Sequence, residues 1–395
     1  MSDLADASMG DLVDASMSDR VDDAAQERAA YVHIPFCHRR CPYCDFAVVD
    51  MGKESSPVAR YVAAVVAEVG MEPAWGQLHA VNLGGGTPSV LDVAQLVSII
   101  GALRSRFGLV ADAEVSIEVN PEDITPRYAE QLREVGINRV SLGVQSFDEA
   151  VLQALGRNHT PAQAIQAIGN AKAAGMTTVS VDLIFGTPGE TLRSWRDTVV
   201  AALDLGTEHL SAYALTVELG TELSRNVRDG AAAPDNDDQA DKYEFLADAA
   251  ASVMCHYEVS NWSTPGHECR YNMTTWAQGE YVAFGLGAHG HRDLARRRNA
   301  RRLDVYLDQV EQGIRPELGV ERLGDWDREK ERVFLGLRRR SGVKTGEAGR
   351  VFLESAVGRR FIDAGVVTTA GDRLVVSKPL LTDAVAREIL SLESR

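Results

Sequence analysis

Residues 31–46, YVHIPFCHRRCPYCDF, place three of the chain's five cysteines within eight residues, directly after an apolar run that reads as a strand. Structural zinc sites usually draw four ligands from two separated pairs of Cys or His, so three close cysteines ask for a different group. A cubane iron–sulfur cluster takes three thiolates at three corners and leaves its fourth iron to a non-protein ligand; the C-x3-C-x2-C spacing lets one loop wrap it. A zinc ion completed by His33, His38 or a distant Cys is the alternative. Outward from this loop, apolar runs at about 30–36, 79–84, 114–119, 138–144, 177–184 and 208–215 alternate with amphipathic segments such as PVARYVAAVVAEV, LDVAQLVSIIGALRSRF and LRSWRDTVVAALDLG. Six βα units in series imply a parallel sheet, open or curled into a partial barrel.

The positions of the unusual residues favour the barrel. Cysteines follow the first strand, GGGTPS the second, Glu118 and Gln145 end the third and fourth, and Asp182 and Tyr213 lie in the fifth and sixth. In a parallel βα barrel those ends meet at one mouth, where sites are built. An open iron there can chelate the amino and carboxylate groups of S-adenosylmethionine. Gly84, Gly85 and Gly86 permit close backbone approach and are expected to leave amide donors free for the same cofactor.

Composition sets limits on the rest. The net charge is −16, of which residues 1–28, with eight Asp/Glu against Arg20 and Arg28, supply −6. That balance disfavours a nucleic-acid surface. The tail repeats DLADASM as DLVDASM and lacks aromatics, so it is expected to be disordered, with Met9 and Met17 as alternative starts. No apolar run reaches the roughly 20 residues of a membrane span, and no secretory signal is visible, so a cytoplasmic protein with at most peripheral membrane contact is expected.

The motifs YVHIPFCHRRCPYCDF, NLGGGTPS, SIEVNPE, RVSLGVQSF, VDLIFGTPGET and YEVSNWSTPGHECRYN…GEYVAFGLGAHG together resemble the radical S-adenosylmethionine family of oxygen-independent coproporphyrinogen III oxidase, and more closely its HemW branch of heme chaperones. The resemblance runs from about Tyr31 to the C-terminus and weakens after residue 300. It implies a partial (β/α)6 barrel over residues 29–230, a barrel extension and heme region over 231–319, and a small α+β, winged-helix-like domain over 320–395. It implies Cys37, Cys41 and Cys44 as ligands of a [4Fe-4S] cluster, with Tyr31 and Tyr43 flanking it. Gly85, Gly86, Thr87, Glu118, Gln145, Arg157 and Asp182 match positions that bind S-adenosylmethionine. Without that context Glu118 and Asp182 read as ordinary capping or surface carboxylates.

Two departures separate the chain from the oxidase pattern, and a third separates it from the HemW branch. Cys44 is followed by Asp45-Phe46 instead of a further C-x-C cysteine, an ending shared with the HemW branch. The segment before Tyr31 is short and acidic, unlike the oxidase's substrate-covering region. The branch's His-Asn-x-x-Tyr-Trp reads here Tyr271-Asn272-Met273-Thr274-Thr275-Trp276, so the His-based heme contact does not transfer. The implied function is heme carriage to a respiratory hemoprotein, with coproporphyrinogen oxidation or another radical reaction as the alternative. Heme is expected outside the barrel mouth, on His256, His267, Cys269, Tyr271, His289 or His291, against a wall of Trp262, Trp276, Tyr281 and Phe284. Cys255 reads as a small buried thiol, Cys269 and His267 as surface residues of a polar loop. The arginines of RRRNARR (296–302) and RRR (338–340) read as solvated, or as partners of propionates or an acidic protein.

Overall fold

The computed structural model describes residues 24–51 and 57–393. Most of the tail therefore lies outside the described residues, and its boundary at 28 needs correction. Ala24 is buried beside Tyr257 and Met273, and Glu27 pairs with Arg270 at 2.6 Å, so the tail's last residues belong to the packed body.

Six strands run where the apolar runs predict: β1 (Arg28–Ile34), β2 (Leu78–Gly85), β3 (Leu109–Val119), β4 (Arg139–Gln145), β5 (Thr178–Phe185) and β6 (His209–Ala214). Each pairs in parallel with the next. Their outward residues pack against α1 (Val58–Met71), α2 (Val93–Phe107), α3 (Pro126–Val135), α5 (Pro161–Ala173) and α6 (Leu192–Asp204), with a short α4 (Glu149–Ala154) before α5. Helix starts are fixed locally. Asp92 with Gln95 and Thr160 with Gln163 form reciprocal capping boxes.

The sheet extends past both expected edges. After α7 (Glu222–Arg228) and α8 (Asn236–Ala250), β7 (Cys255–Glu258) and β8 (Asn261–Ser263) add antiparallel beyond β6. Helix α9 (Arg270–Trp276) follows, and β9 (Glu280–Phe284) returns to pair in parallel with β1. Strands β10 (His289–Arg292), β11 (Ala295–Asn299) and β12 (Glu317–Arg322) then continue as an antiparallel meander, with α10 (Leu303–Glu311) between β11 and β12. The order is β12-β11-β10-β9-β1-β2-β3-β4-β5-β6-β8-β7, a partial barrel whose ends do not join. Residues 231–319 thus serve both edges of the sheet and form no single unit.

A buried carboxylate holds the β9 side in place. Glu68 of α1 accepts from the Gly285 amide at 2.8 Å, Asn299 Nδ2 at 2.6 Å and the Tyr306 hydroxyl at 2.6 Å. Burial pushes its pKa up to about 7, and the three donors oppose that rise.

The C-terminal unit comprises α11 (Asp325–Gly336), β13 (Val343–Lys344), α12 (Gly346–Glu354), α13 (Ala356–Asp363), β14 (Val367–Ala370), β15 (Arg373–Val376) and α14 (Thr382–Leu390). Its core, around Val333, Phe352, Leu374 and Ile389, is separate from that of the barrel. The expected boundary at 320 falls inside β12, which belongs to the large sheet. Main-chain bonds from Val259 N to Arg338 O, 2.9 Å, and Arg340 N to Tyr257 O, 3.0 Å, splice the two units.

Candidate functional site

The loop after β1 carries the three cysteines to the C-terminal mouth of the barrel. It is pinned by a two-residue parallel ladder, Phe36–Cys37 with Val49–Asp50, and by bonds from Cys44 N to Cys41 O at 3.1 Å and from Arg40 to Cys44 O at 2.9 Å. All three thiols are free and half-buried. Burial pushes Cys37 up to about 11 and raises Cys44, so these thiols lose their protons only to a strongly attracting cation. Donors stand ready for sulfur charge: Thr87 Oγ1 lies 3.5 Å from Cys37 Sγ, and Arg157 Nη1 lies 3.7 Å from Cys41 Sγ.

Arg157 organises the mouth. Its Nη2 donates to Asn120 Oδ1 at 2.7 Å and to Gly143 O at 2.9 Å, while its buried Nε has no partner among the described residues. Gln145 sits beside it: a Cβ built on Gly143 would lie 2.9 Å from Gln145 Nε2 and 3.5 Å from Arg157 Nη2. Gln145 has φ of 66°, at a register shift in the β4–β5 ladder. A non-glycine residue in that region costs on the order of 1–3 kcal/mol and marks a position the surroundings dictate. Tyr43 packs with Val151, Leu155, Ile184 and Leu223, and its hydroxyl meets Cys41.

The glycine loop corrects one expectation. Its amides are already used: Gly85 N donates to Glu118 Oε2 at 3.1 Å, Gly86 N to Ile34 O at 2.8 Å and Thr87 N to Phe36 O at 2.9 Å. An ammonium is itself a donor, so what such a loop can offer it is carbonyl oxygen. The glycines matter by closeness. A Cβ on Gly86 would lie 2.8 Å from Ile34 O, and Gly85, at φ of 107°, abuts the His33 ring.

Below the mouth is a polar lumen. Glu118 is pushed by burial from an ordinary 4.5 up to about 7, against the Gly85 amide that favours its charge. Asp182 is raised by burial, and three serine hydroxyls stabilise it: Ser141 at 2.8 Å, Ser180 at 3.1 Å, and Ser211. The mutual charge of Glu118 and Asp182 places them within electrostatic reach. Tyr31 reaches in from β1, its hydroxyl 3.0 Å from His33 Nδ1. The structure therefore separates the expected residues into a mouth group, with the cysteines, Tyr43, Thr87, Arg157 and Gln145, and a lumen group, with Tyr31, Glu118 and Asp182.

Residues that the sequence pattern missed complete both groups: Asn120, which holds Arg157, and Ser141, Ser180 and Ser211 around Asp182. Ser180 precedes Asp182 by two residues on β5, a period-2 signal that apolar counting overlooks, while Ser211 stands opposite Asp182 on β6 and Ser141 opposite Ser180 on β4. Helix α9 is the largest surprise. It packs at the opposite end from the cysteines, where Arg270 N bonds Glu114 Oε1 in the middle of β3 at 3.0 Å and His267 Nδ1 meets Thr178 Oγ1 at the start of β5 at 2.8 Å. Tyr271 enters from it and stacks on Tyr31, centroids 5.8 Å apart, with Tyr281 edge-on behind.

The expected heme wall does not form. His256 stacks on fully buried Trp262 at 4.3 Å, Trp276 lies under Arg338, Phe284 packs on Phe107, and Cys269 is 7% exposed, whereas Cys255 is only partly buried. Burial holds the Tyr271 phenol well above its usual pKa, which disfavours the tyrosinate a heme iron would take. The six candidate ligands are dispersed over the barrel base, the sheet edge and the strand pair β10–β11.

Comparison with known proteins bears on this constellation. Residues 31–202 match the Radical SAM superfamily. The chain is 40% identical over 375 residues to a heme chaperone HemW of Mycobacterium tuberculosis, covering 92% of this chain and 95% of that protein. It is 33% identical over 322 residues to a heme chaperone HemW of Bacillus subtilis, covering 80% and 84%. Among solved structures, the coproporphyrinogen III oxidase HemN of Escherichia coli superposes with a TM-score of 0.78 at 21% identity, over 98% of this chain and 94% of that one, a likeness of fold. A chain whose mouth carries three free thiols on the loop after β1, and whose length is matched almost throughout at such identity, belongs to the HemW family of the radical SAM superfamily.

Proposed function

We propose that the protein carries heme to a hemoprotein, and that its mouth holds a [4Fe-4S] cluster and S-adenosylmethionine. The single observation that carries the cofactor half is the donor set: three free, half-buried thiols on one loop, with the Thr87 hydroxyl and the Arg157 guanidinium aimed at two of the sulfurs. Each thiolate would take a separate iron, leaving the fourth corner for the cofactor's amino-acid end. When bound, this pair of groups would supply a one-electron reductant and a sulfonium able to accept the electron.

The chain's residues bind and orient. Glu118, fixed by the Gly85 amide, offers a carboxylate to an ammonium or to ribose hydroxyls. Arg157 neutralises sulfur charge from inside the barrel while Asn120 and Gly143 O fix its plane. Asp182, its oxygens engaged by serines, shapes the lumen floor. The heme half is supported by the HemW relatives and by Cys44-Asp45-Phe46, which lacks the oxidase's additional cysteine.

Reconstituting the cluster anaerobically and measuring ferric heme binding beside coproporphyrinogen turnover tests this reading. Stoichiometric heme binding without decarboxylated product is expected. Sustained turnover with no heme bound would replace the chaperone reading with an oxidase.

A further inference from the structure

The stretch 296–302 holds five arginines, and the structure divides them. Arg296 pairs with Glu331 at 2.6 Å, Arg297 lies 3.6 Å from Glu317, and Arg302 pairs with Asp304. Among the described residues, the guanidinium groups of Arg298 and Arg301 have no hydrogen-bond or ion-pair partner, and both side chains are exposed. In a chain of net charge −16 surplus carboxylates abound, yet among the described residues none is set against this pair. Neighbouring cations without counter-ions repel each other, and an anionic ligand relieves that repulsion.

His289 completes the arrangement. It stands directly opposite Arg298 in the β10–β11 ladder, and the charges of both Arg298 and Arg301 reach its ring. The side chain is exposed, and among the described residues its imidazole has no hydrogen-bond partner. Beside the arginines a recess of about 280 Å³ is lined by Ala300, Val305 and Leu318 as well as by the guanidinium stems, and Leu318 is 57% exposed.

The rim is close to the cysteine loop. A Cβ on Gly287 would lie 3.2 Å from Ala47 Cβ and 3.4 Å from Arg301 Cγ, and Ala47 O holds the His33 ring at 2.9 Å. It is also rigid, because Gly285 and Asn299 on either side are tied to the buried Glu68.

We propose that this rim seats the heme, with His289 as the axial ligand, Arg298 and Arg301 on the two propionates, and Val305 and Leu318 against one edge of the macrocycle. The proposal rests on the heme-carrying reading above and gives that reading a place. The chemistry of the rim selects each part: imidazole nitrogen replaces water on ferric iron, guanidinium forks match carboxylates, and a porphyrin edge needs apolar floor. The recess falls at the low end of pockets that enclose a small molecule, so the far face of the porphyrin stays open to a recipient. That exposure suits handover better than permanent retention. It also leaves the lumen, with Glu118 and Asp182, to the other cofactor.

The test is a ferric heme titration of the full chain, reading the Soret band and the affinity, on wild type, His289→Ala, the double variant Arg298→Gln/Arg301→Gln, and Tyr271→Phe. Expected are stoichiometric binding by wild type and a moved Soret band in His289→Ala that returns when free imidazole is added. The double variant should keep its band position and bind about five- to twentyfold more weakly, the summed cost of two exposed charge pairs. Heme dimethyl ester, which lacks the propionate charges, should bind wild type and the double variant alike. Tyr271→Phe should match wild type. An unmoved Soret band in His289→Ala with stoichiometric binding would overturn this site and leave heme carriage standing. Failure of wild type to bind heme would overturn both.

Discussion

At the scale of single residues, the mouth makes two sharp demands. Replacing Cys37, Cys41 or Cys44 with Ala should each abolish the brown absorbance and iron content of the reconstituted protein, because two thiolates hold a cubane poorly. Cys255→Ala, remote from the loop on β7, should keep its iron, which iron analysis checks. Glu118 is the second demand. Its pKa, raised from 4.5 to about 7, means the folded chain keeps a proton that the unfolded chain releases. Its contribution to stability is therefore fully present below about pH 4.5 and lost as pH rises to about 7. Glu118→Gln should thus stabilise the cofactor-free chain by on the order of 1–3 kcal/mol at pH 8 and by little at pH 5, measured from urea midpoints. The same change should weaken S-adenosylmethionine about tenfold by calorimetry, the cost of a charge-assisted hydrogen bond. The cysteines were readable from the sequence because their spacing is itself the signal. Asn120, Ser141, Ser211 and the Tyr271–Tyr31 stack were not, because each acts through a neighbour distant in sequence, and Ser180, two residues before Asp182, was lost among apolar neighbours on β5.

At the scale of elements, closeness of backbone does what side chains usually do. Gly86→Ala puts a methyl 2.8 Å from Ile34 O and the Pro35 carbonyl carbon, neither of which can swing aside. The cysteine loop must shift, at a cost of about 1–3 kcal/mol, and iron incorporation should fall although every cysteine remains. Normal iron content in that variant would show that the contact positions nothing. Gln145→Gly should raise the melting temperature by relieving φ of 66°, yet weaken S-adenosylmethionine, since the strained backbone aims the side chain. The six parallel strands were legible from alternating apolar runs and amphipathic helices. Strand β9 was not: it pairs in parallel with β1 across some 250 residues, and nothing local announces that partner. The placement of α9 at the barrel base was hidden for the same reason, and with it fell the expectation that residues 255–291 form one heme wall.

At the scale of the molecule, the chain divides its tasks by position. The barrel mouth gathers thiols and the lumen gathers carboxylates, while the β10–β11 rim beside them exposes Arg298, Arg301 and His289. The C-terminal unit touches both edges of the sheet, through the Val259, Arg338, Arg340 and Tyr257 backbone bonds on one side and the Glu331–Arg296 pair on the other. Among the described residues no helix is long and apolar enough to cross a membrane. On the proposed reading, a passenger seated on that rim would lie outside the barrel, within reach of a recipient. The most direct measurement is therefore transfer itself: heme-loaded protein, with cluster and S-adenosylmethionine in place, is mixed with an apo-hemoprotein and the two Soret bands are followed. Carriage requires the recipient's band to grow as the carrier's declines, faster than release of heme to an apolar scavenger of equal affinity. Heme that stays on the chain, or that leaves at the same rate whether or not a recipient is present, would contradict the account.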